Sequence, residues 1–289
     1  MNPIWDAIIV GGGPAGASCA TWLARLGLAP LLLEAAPLLG GLIEHYLTWR
    51  WNFWISGGIT AAVLVLLTYR LMETHKPLPD AGPLLHGIVK AYAFLLSSRT
   101  FMTLGLLNLA VFAGLHGFSS SAPAVLIGTL ELSPVLYGVL TALGSAGFFL
   151  GALLSSWLGG RLGLMRMIDG GVLCMFVAAI GMALYVEFIA PSVTAIIVCR
   201  MLWAAGMGMT LPNSVTAAVG INPATIGAGA ALAGFLQTAG GVFGSAVSSL
   251  FPAGDPLSLG LSFGSTALLG AVVWWLNRPA VAKVMADRN

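Results

Sequence analysis

From Trp51 to Leu276 the chain is a succession of apolar stretches long enough to cross a lipid bilayer, and this limits its fold more than any other feature. A helix rises about 1.5 Å per residue, so about 20 apolar residues cover ~30 Å of hydrocarbon. Seven stretches meet that length: 52–71, 102–125, 134–158, 168–190, 193–219, 227–250 and 257–276. Ser133-Pro134, Pro191-Ser192, Asn222-Pro223 and Asp255-Pro256 punctuate the breaks. Only 8% of residues are charged, against about 25% in a soluble domain, and the mean hydropathy is +0.95. A net charge of +2 makes no case for nucleic acid. Cys19, Cys174 and Cys199 have neither metal-binding nor redox spacing and read as small packing residues. The apolar start is broken by Gly11-Gly12-Gly13-Pro14, so it is not expected to act as a signal peptide.

Basic residues set the expected orientation. With the 72–101 segment on the cytoplasmic side, nine of the twelve basic residues fall inside: Arg70, Lys76, Lys90, Arg99, Arg161, Arg166, Arg278, Lys283 and Arg288. The opposite loops carry Glu131, Glu187 and Asp255 and no basic residue. The expectation is a multi-pass protein of the cell inner (plasma) membrane with its C-terminus in the cytoplasm. Within 72–101, Leu84, Leu85, Ile88, Tyr92, Leu95 and Leu96 recur at helical spacing. They suggest a short helix along the membrane surface, with a plain linker as the alternative.

Gly147/Gly151, Gly240/Gly244 and Gly260/Gly264 are each four apart, so each pair shares one helix face and admits a close neighbour. Asn108, His116, Arg200, Asn213 and Gln237 are polar residues inside the spans. Asn213 and Gln237 either line a substrate cavity or bond across helices. Asn108 and His116 lie near one face of their helix, as cavity groups or as partners in an interhelical hydrogen bond. Arg200 is a functional candidate because a charge inside a membrane is costly, although its length also allows it to snorkel. Pro212 is expected to kink its helix. Trp49, Trp51, Trp54, Trp274 and Trp275 cluster near span ends and read as interface anchors.

The run Gly206-Met-Gly208-Met-Thr-Leu-Pro212-Asn213, with Gly227 and Gly234-Phe-Leu-Gln237, resembles helices ten and eleven of Bcr/CflA-type drug:proton antiporters in the major facilitator superfamily. Trp49-Arg-Trp-Asn-Phe-Trp54 is similar to the entry into that family's sixth helix, Glu73-Thr74 to the start of its central loop, and Arg161-Leu-Gly163 with Arg166 to its basic turn after helix eight. The resemblance covers about 47–289. It implies a helix equivalent to the sixth over 44–71, a central cytoplasmic loop over 72–101 and a six-helix half over 102–289. The implied activity is proton-coupled export of small drug-like molecules from a midplane site. Helices one to five of the pattern have no counterpart, and no Asp or Glu lies near a span centre. Transport is therefore expected only if a separate N-terminal half completes the chain.

Residues 4–34 read as one βαβ arm: an apolar strand from Ile4 to Val10, a turn Gly11-Gly-Gly13-Pro-Ala-Gly16 into a helix, and a strand Pro30 to Leu33 ending at Glu34. Gly11 permits the tight turn, Gly13 the approach of a pyrophosphate and Gly16 helix–strand packing, and Glu34 is placed for a ribose hydroxyl. The segment resembles the FAD-binding start of thioredoxin-reductase-like flavoproteins over 4–41. One arm is half of a dinucleotide site and about 40 residues form a marginal core, so no cofactor is expected to bind. The fold class is thus an all-α integral membrane bundle of about seven helices behind a short Rossmann-like βαβ fragment, 1–43, with two truncated sequences joined near 41–47. A membrane-tethered FAD/NAD(P)-dependent oxidoreductase is the alternative. No catalytic or metal-binding set is evident.

Overall fold

The structure is a computed structural model that describes residues 7–10, 30–33 and 84–286 except 190, together with helical positions 50, 51, 54, 55, 57, 58, 61, 62 and 65. Two short strands, β1 (Ala7–Val10) and β2 (Pro30–Leu33), pair in parallel with Ala7 opposite Pro30. Gly11, Gly13, Gly16 and Glu34 lie outside the described residues, as do Cys19, Trp49 and most of the 52–71 span. Trp51, just before it, and its described positions Trp54 and Val65 are exposed.

The helices follow from the apolar runs and their caps. They are α1 (Leu84–Ser97), α2 (Arg99–Pro123), α3 (Pro134–Leu162), α4 (Leu164–Phe188), α5 (Val193–Val219), α6 (Ile226–Ser248) and α7 (Pro256–Ala286). Ser98 accepts a hydrogen bond from the Phe101 amide, and Ser133 accepts from Leu136, so each occupies one of the first orphan donors of its helix. Asp255 does the same for Leu257 at the start of α7. Among the described residues six helices, α2 to α7, are long and apolar enough to cross a membrane. α2 runs on past Pro123 as a π-helical turn, Ala124–Thr129, and is therefore longer than its apolar pattern.

Packing reveals two interlocked three-helix units of opposite direction. α2 packs chiefly on α6 and α7, α5 chiefly on α3 and α4, and α2 meets α5 at the centre. Exchanging α2 with α5, α3 with α6 and α4 with α7 reproduces these neighbours. The match extends to single residues. Gly147 and Gly151 of α3 lie on the backbone of Met201 and Ala205 in α5, while Gly240 and Gly244 of α6 lie on Leu109 and Ala113 in α2. One turn further along, Ser155 accepts from Asn213, and Ser248 bonds Ser121. The bundle is an inverted repeat, and the glycine pairs are its contact points.

Four expectations change. Gly260 abuts the backbone of Ala183, but Gly264 faces open space, so this pair is not a shared contact face. Trp274 is fully buried and not an interface anchor, because its indole finds a hydrogen-bond acceptor inside the bundle. Trp275 beside it is exposed. Cys174 and Cys199 are only half-buried, since both sit at the edge of helix faces that the bundle leaves open. Finally α7 continues to Ala286, ten residues beyond its apolar span, because Arg278 is bonded to α4 and Val281 is buried. The 72–101 segment does contain a helix, α1, with Leu95 buried and Tyr92 packed on the core.

Candidate functional site

The two central helices carry the polar groups that the sequence singles out, and the structure sorts them into separate environments. Asn108 on α2 is fully buried and accepts from Ser214 of α5 at 2.7 Å. Asn213 on α5 is buried and donates to Ser155 of α3 at 2.6 Å and to the Met209 carbonyl at 2.7 Å. These bonds form a polar seam across α2, α5 and α3. Of the two roles open to Asn213, the bond across helices is present in this conformation. The Asn108 amide nitrogen and the Thr210 hydroxyl have no partner among the described residues, so the seam retains unused hydrogen-bonding capacity next to α5.

Pro212 is buried within an α5 that stays helical throughout. A proline removes one backbone donor, and nearby side chains turn back on the helix: Thr216 donates to the Pro212 carbonyl and Asn213 to that of Met209. His116 is exposed and does not share the environment of Asn108, from which it is about 80° away around the helix. Its ring stacks on Phe112 and lies against Gly241 of α6, where a Cβ would come within 3.0 Å of the imidazole. The inverted repeat relates this contact to that of Gly208 with the Phe148 backbone. Gln237 is half-buried on α6, one turn before the Gly241 that His116 lies against. Arg200 lies between α2, α3 and α5, with its guanidinium carbon 5.3 Å from the Phe118 ring centre and 5.5 Å from that of Trp203.

A further cluster escapes sequence reasoning. Asp169 of α4 receives two hydrogen bonds from Arg278 of α7, at 2.8 and 2.7 Å, and a third from the Trp274 indole at 2.8 Å. It ties α4 to α7 at the end of the bundle that carries the basic residues. Arg278 and Arg166 also flank a cleft of about 740 Å³ walled by Leu162, Met165, Thr216 and Met285. Nothing in the spacing of 169 and 278 pairs them, since the partners belong to different helices of the two units. The Arg278 side chain is 41% exposed and Asp169 27%, so water screens the pair. Asp169→Ala is expected to cost about 1–2 kcal/mol, mostly by leaving the buried indole without an acceptor. A double-mutant cycle with Trp274→Phe, read by thermal unfolding in detergent, should show coupling. Additive losses would remove the bond from the account.

Residues 20–188, more than half of the chain, match the family model described as Major Facilitator Superfamily. The chain belongs to the major facilitator superfamily. The match begins within the segment read as a βαβ arm and stops at the end of α4. The inverted repeat ties α5–α7 to the same bundle, and such repeats are built into each six-helix half of these transporters. Two fungal proteins are similar over short stretches. One is the MFS-type transporter lnaF of Aspergillus flavus, 45% identical over 51 residues, which is 17% of this chain and 10% of that protein. The other is the MFS-type transporter pigP of Monascus ruber, 35% identical over 65 residues, 22% of this chain and 11% of that protein. The chain thus spans about a tenth of the curated relatives it matches. Six membrane-capable helices in a major facilitator bundle make this a multi-pass membrane protein and a member of a transporter family.

Proposed function

We propose that this chain supplies the C-terminal bundle of a Bcr/CflA-type multidrug exporter, coupled to protons and completed by a second bundle. The observation that carries this reading is the position of the Gly206–Asn213 run. It lies in α5, one of the two helices at the centre of the inverted repeat, and its glycines allow contact below the usual Cβ distance: Gly206 against the backbone of Gly171, Gly208 against that of Phe148. The faces left open by α3 and α6 are apolar, with Phe149, Leu150, Leu153, Phe235 and Val242 exposed. A second helical bundle or lipid must cover them. His116 and Gln237 are the substrate-cavity groups on this reading, and Arg200 packs behind them against Phe118 and Trp203. Asn108, Asn213 and Pro212 shape the central helices behind them. The carboxylates that carry the inward-moving proton come from the completing bundle. The basic ends of α2, α3, α4 and α7 face the cytoplasm by the charge rule, with α1 along the membrane surface, in a cell inner (plasma) membrane.

Residues 1–43 are read as a truncated βαβ fragment. The parallel pairing of β1 and β2 favours it. One mononucleotide arm is half of a dinucleotide site, so on this reading no FAD is expected to bind and the oxidoreductase alternative is not adopted. Purified protein without visible flavin absorbance fits this assignment, and a yellow preparation would overturn it.

Transport is tested in efflux-deficient cells loaded with a cationic dye. The chain alone should enter the membrane and leave dye accumulation unchanged. Co-expression with the N-terminal helices of a Bcr/CflA transporter should lower accumulation, and a protonophore should restore it. A pair that co-purifies yet exports nothing, or export insensitive to the protonophore, would contradict proton-coupled efflux.

A further inference from the structure

Arg200 brings a positive charge into the bundle that no described acidic residue answers. It is seven residues into α5 from Val193, about 10 Å along the helix. Among the described residues the carboxylates near the same end, Glu131, Glu187 and Asp255, make no ion pair, and the Asp169–Arg278 pair lies at the other end. The rings of Phe118 and Trp203 hold the cation over their faces. Ring faces attract charge but do not replace acceptors for the five guanidinium donors. The Nη1 atom is sealed from solvent and has no hydrogen-bond partner among the described residues. Room for this side chain is left by Gly144 of α3, where a Cβ would meet the guanidinium carbon at 3.3 Å.

Beside the guanidinium is a small pocket of about 20 Å³ lined by Phe118, Ser119, Tyr137, Thr141, Ile197 and Arg200 itself. That is room for one water-sized group. Ser119 and Thr141 donate back to the carbonyls of Leu115 and Tyr137, at 2.8 and 2.9 Å, so their own helices fix the positions of both hydroxyls. We propose that Arg200 and this pocket form a receptor for one small monovalent anion, either a halide ion or the carboxylate end of an organic acid. A water molecule would satisfy a donor but not the charge. Arginine cannot escape by losing its proton, and charge–charge attraction strengthens as the surroundings become apolar. The site stands independently of the export reading, because it is complete within α2, α3 and α5.

The full chain, purified in detergent with a bulky sulfonate as the only anion, is titrated with sodium chloride, sodium bromide or sodium acetate at constant ionic strength. A receptor that binds the folded state raises the unfolding midpoint saturably, by about 2–4 °C. Saturation with halides alone identifies an ion site, and saturation with acetate identifies a carboxylate site. Arg200→Gln should remove the response. Thr141→Leu, at an exposed position whose larger side chain would fill the pocket and leave the cation in place, should raise the half-saturating concentration at least tenfold. The absence of a saturable response to all three salts would overturn the proposal, as would the same response in wild type and both variants.

Discussion

Gly151→Val and Gly244→Val should each destabilise the bundle by about 3 kcal/mol, at the upper end of what overpacking a close contact costs, while Gly264→Val changes little. At Gly151 a Cβ would sit 2.6 Å from the carbonyl carbon of Ala205, and at Gly244 it would sit 2.5 Å from that of Ala113. Neither neighbour can move aside as a flexible side chain would, because both are backbone atoms of the central helices. Relief therefore requires α3 to separate from α5, or α6 from α2, along the whole contact that runs to Ser155 and Ser248. Gly264 has nothing within 4 Å, so the same substitution meets open space. The monodisperse fraction and the unfolding midpoint in detergent read the difference. Equal tolerance at all three positions would mean that these helices do not meet at their glycines.

Trp274→Ala should lower stability by about 3 kcal/mol, whereas Trp275→Ala costs under about 1 kcal/mol. The two tryptophans are sequence neighbours at the same span end, yet Trp274 is 0% exposed and Trp275 42%. Removing Trp274 opens a cavity and also takes a donor from Asp169, which keeps only Arg278. Removing Trp275 gives up an edge-on contact with Phe176 and surface that faces lipid. Comparable losses at the two positions would show that the indole–carboxylate bond contributes nothing.

The tryptophans illustrate which features the sequence carries. Helix existence and approximate ends follow from apolar length, proline and serine punctuation, and these features alone locate α2 to α7. The glycine spacing at 147/151 and 240/244 marks contact faces, but 260/264 has the same spacing without the same contact. Spacing shows which residues share a face and not what that face meets. Asn213 and His116 were both legible as polar groups in apolar helices. Whether each is buried or open depends on a neighbouring helix: Ser155 receives Asn213, and the bare backbone of Gly241 leaves His116 at the edge. The Asp169–Arg278–Trp274 cluster was illegible because Asp169 lies 105 residues from Trp274 and 109 from Arg278, on a helix of the other repeat unit. The inverted repeat was hidden for a related reason. Its matched contacts use different residue types, Asn213 with Ser155 on one side and Ser121 with Ser248 on the other.

Six crossing helices with their basic ends on one face can be tested by thiol labelling in sealed cells. In a chain lacking Cys19, Cys174 and Cys199, single cysteines replace Ser133, Ser192 and Ala253 at one end, or Gly160, Ala224 and Ala286 at the other. An impermeant reagent should label all of the first three from one side, and all of the second three only from the opposite side. Labelling of two successive connections from the same side, such as 133 together with 160, would contradict the membrane-spanning bundle described above.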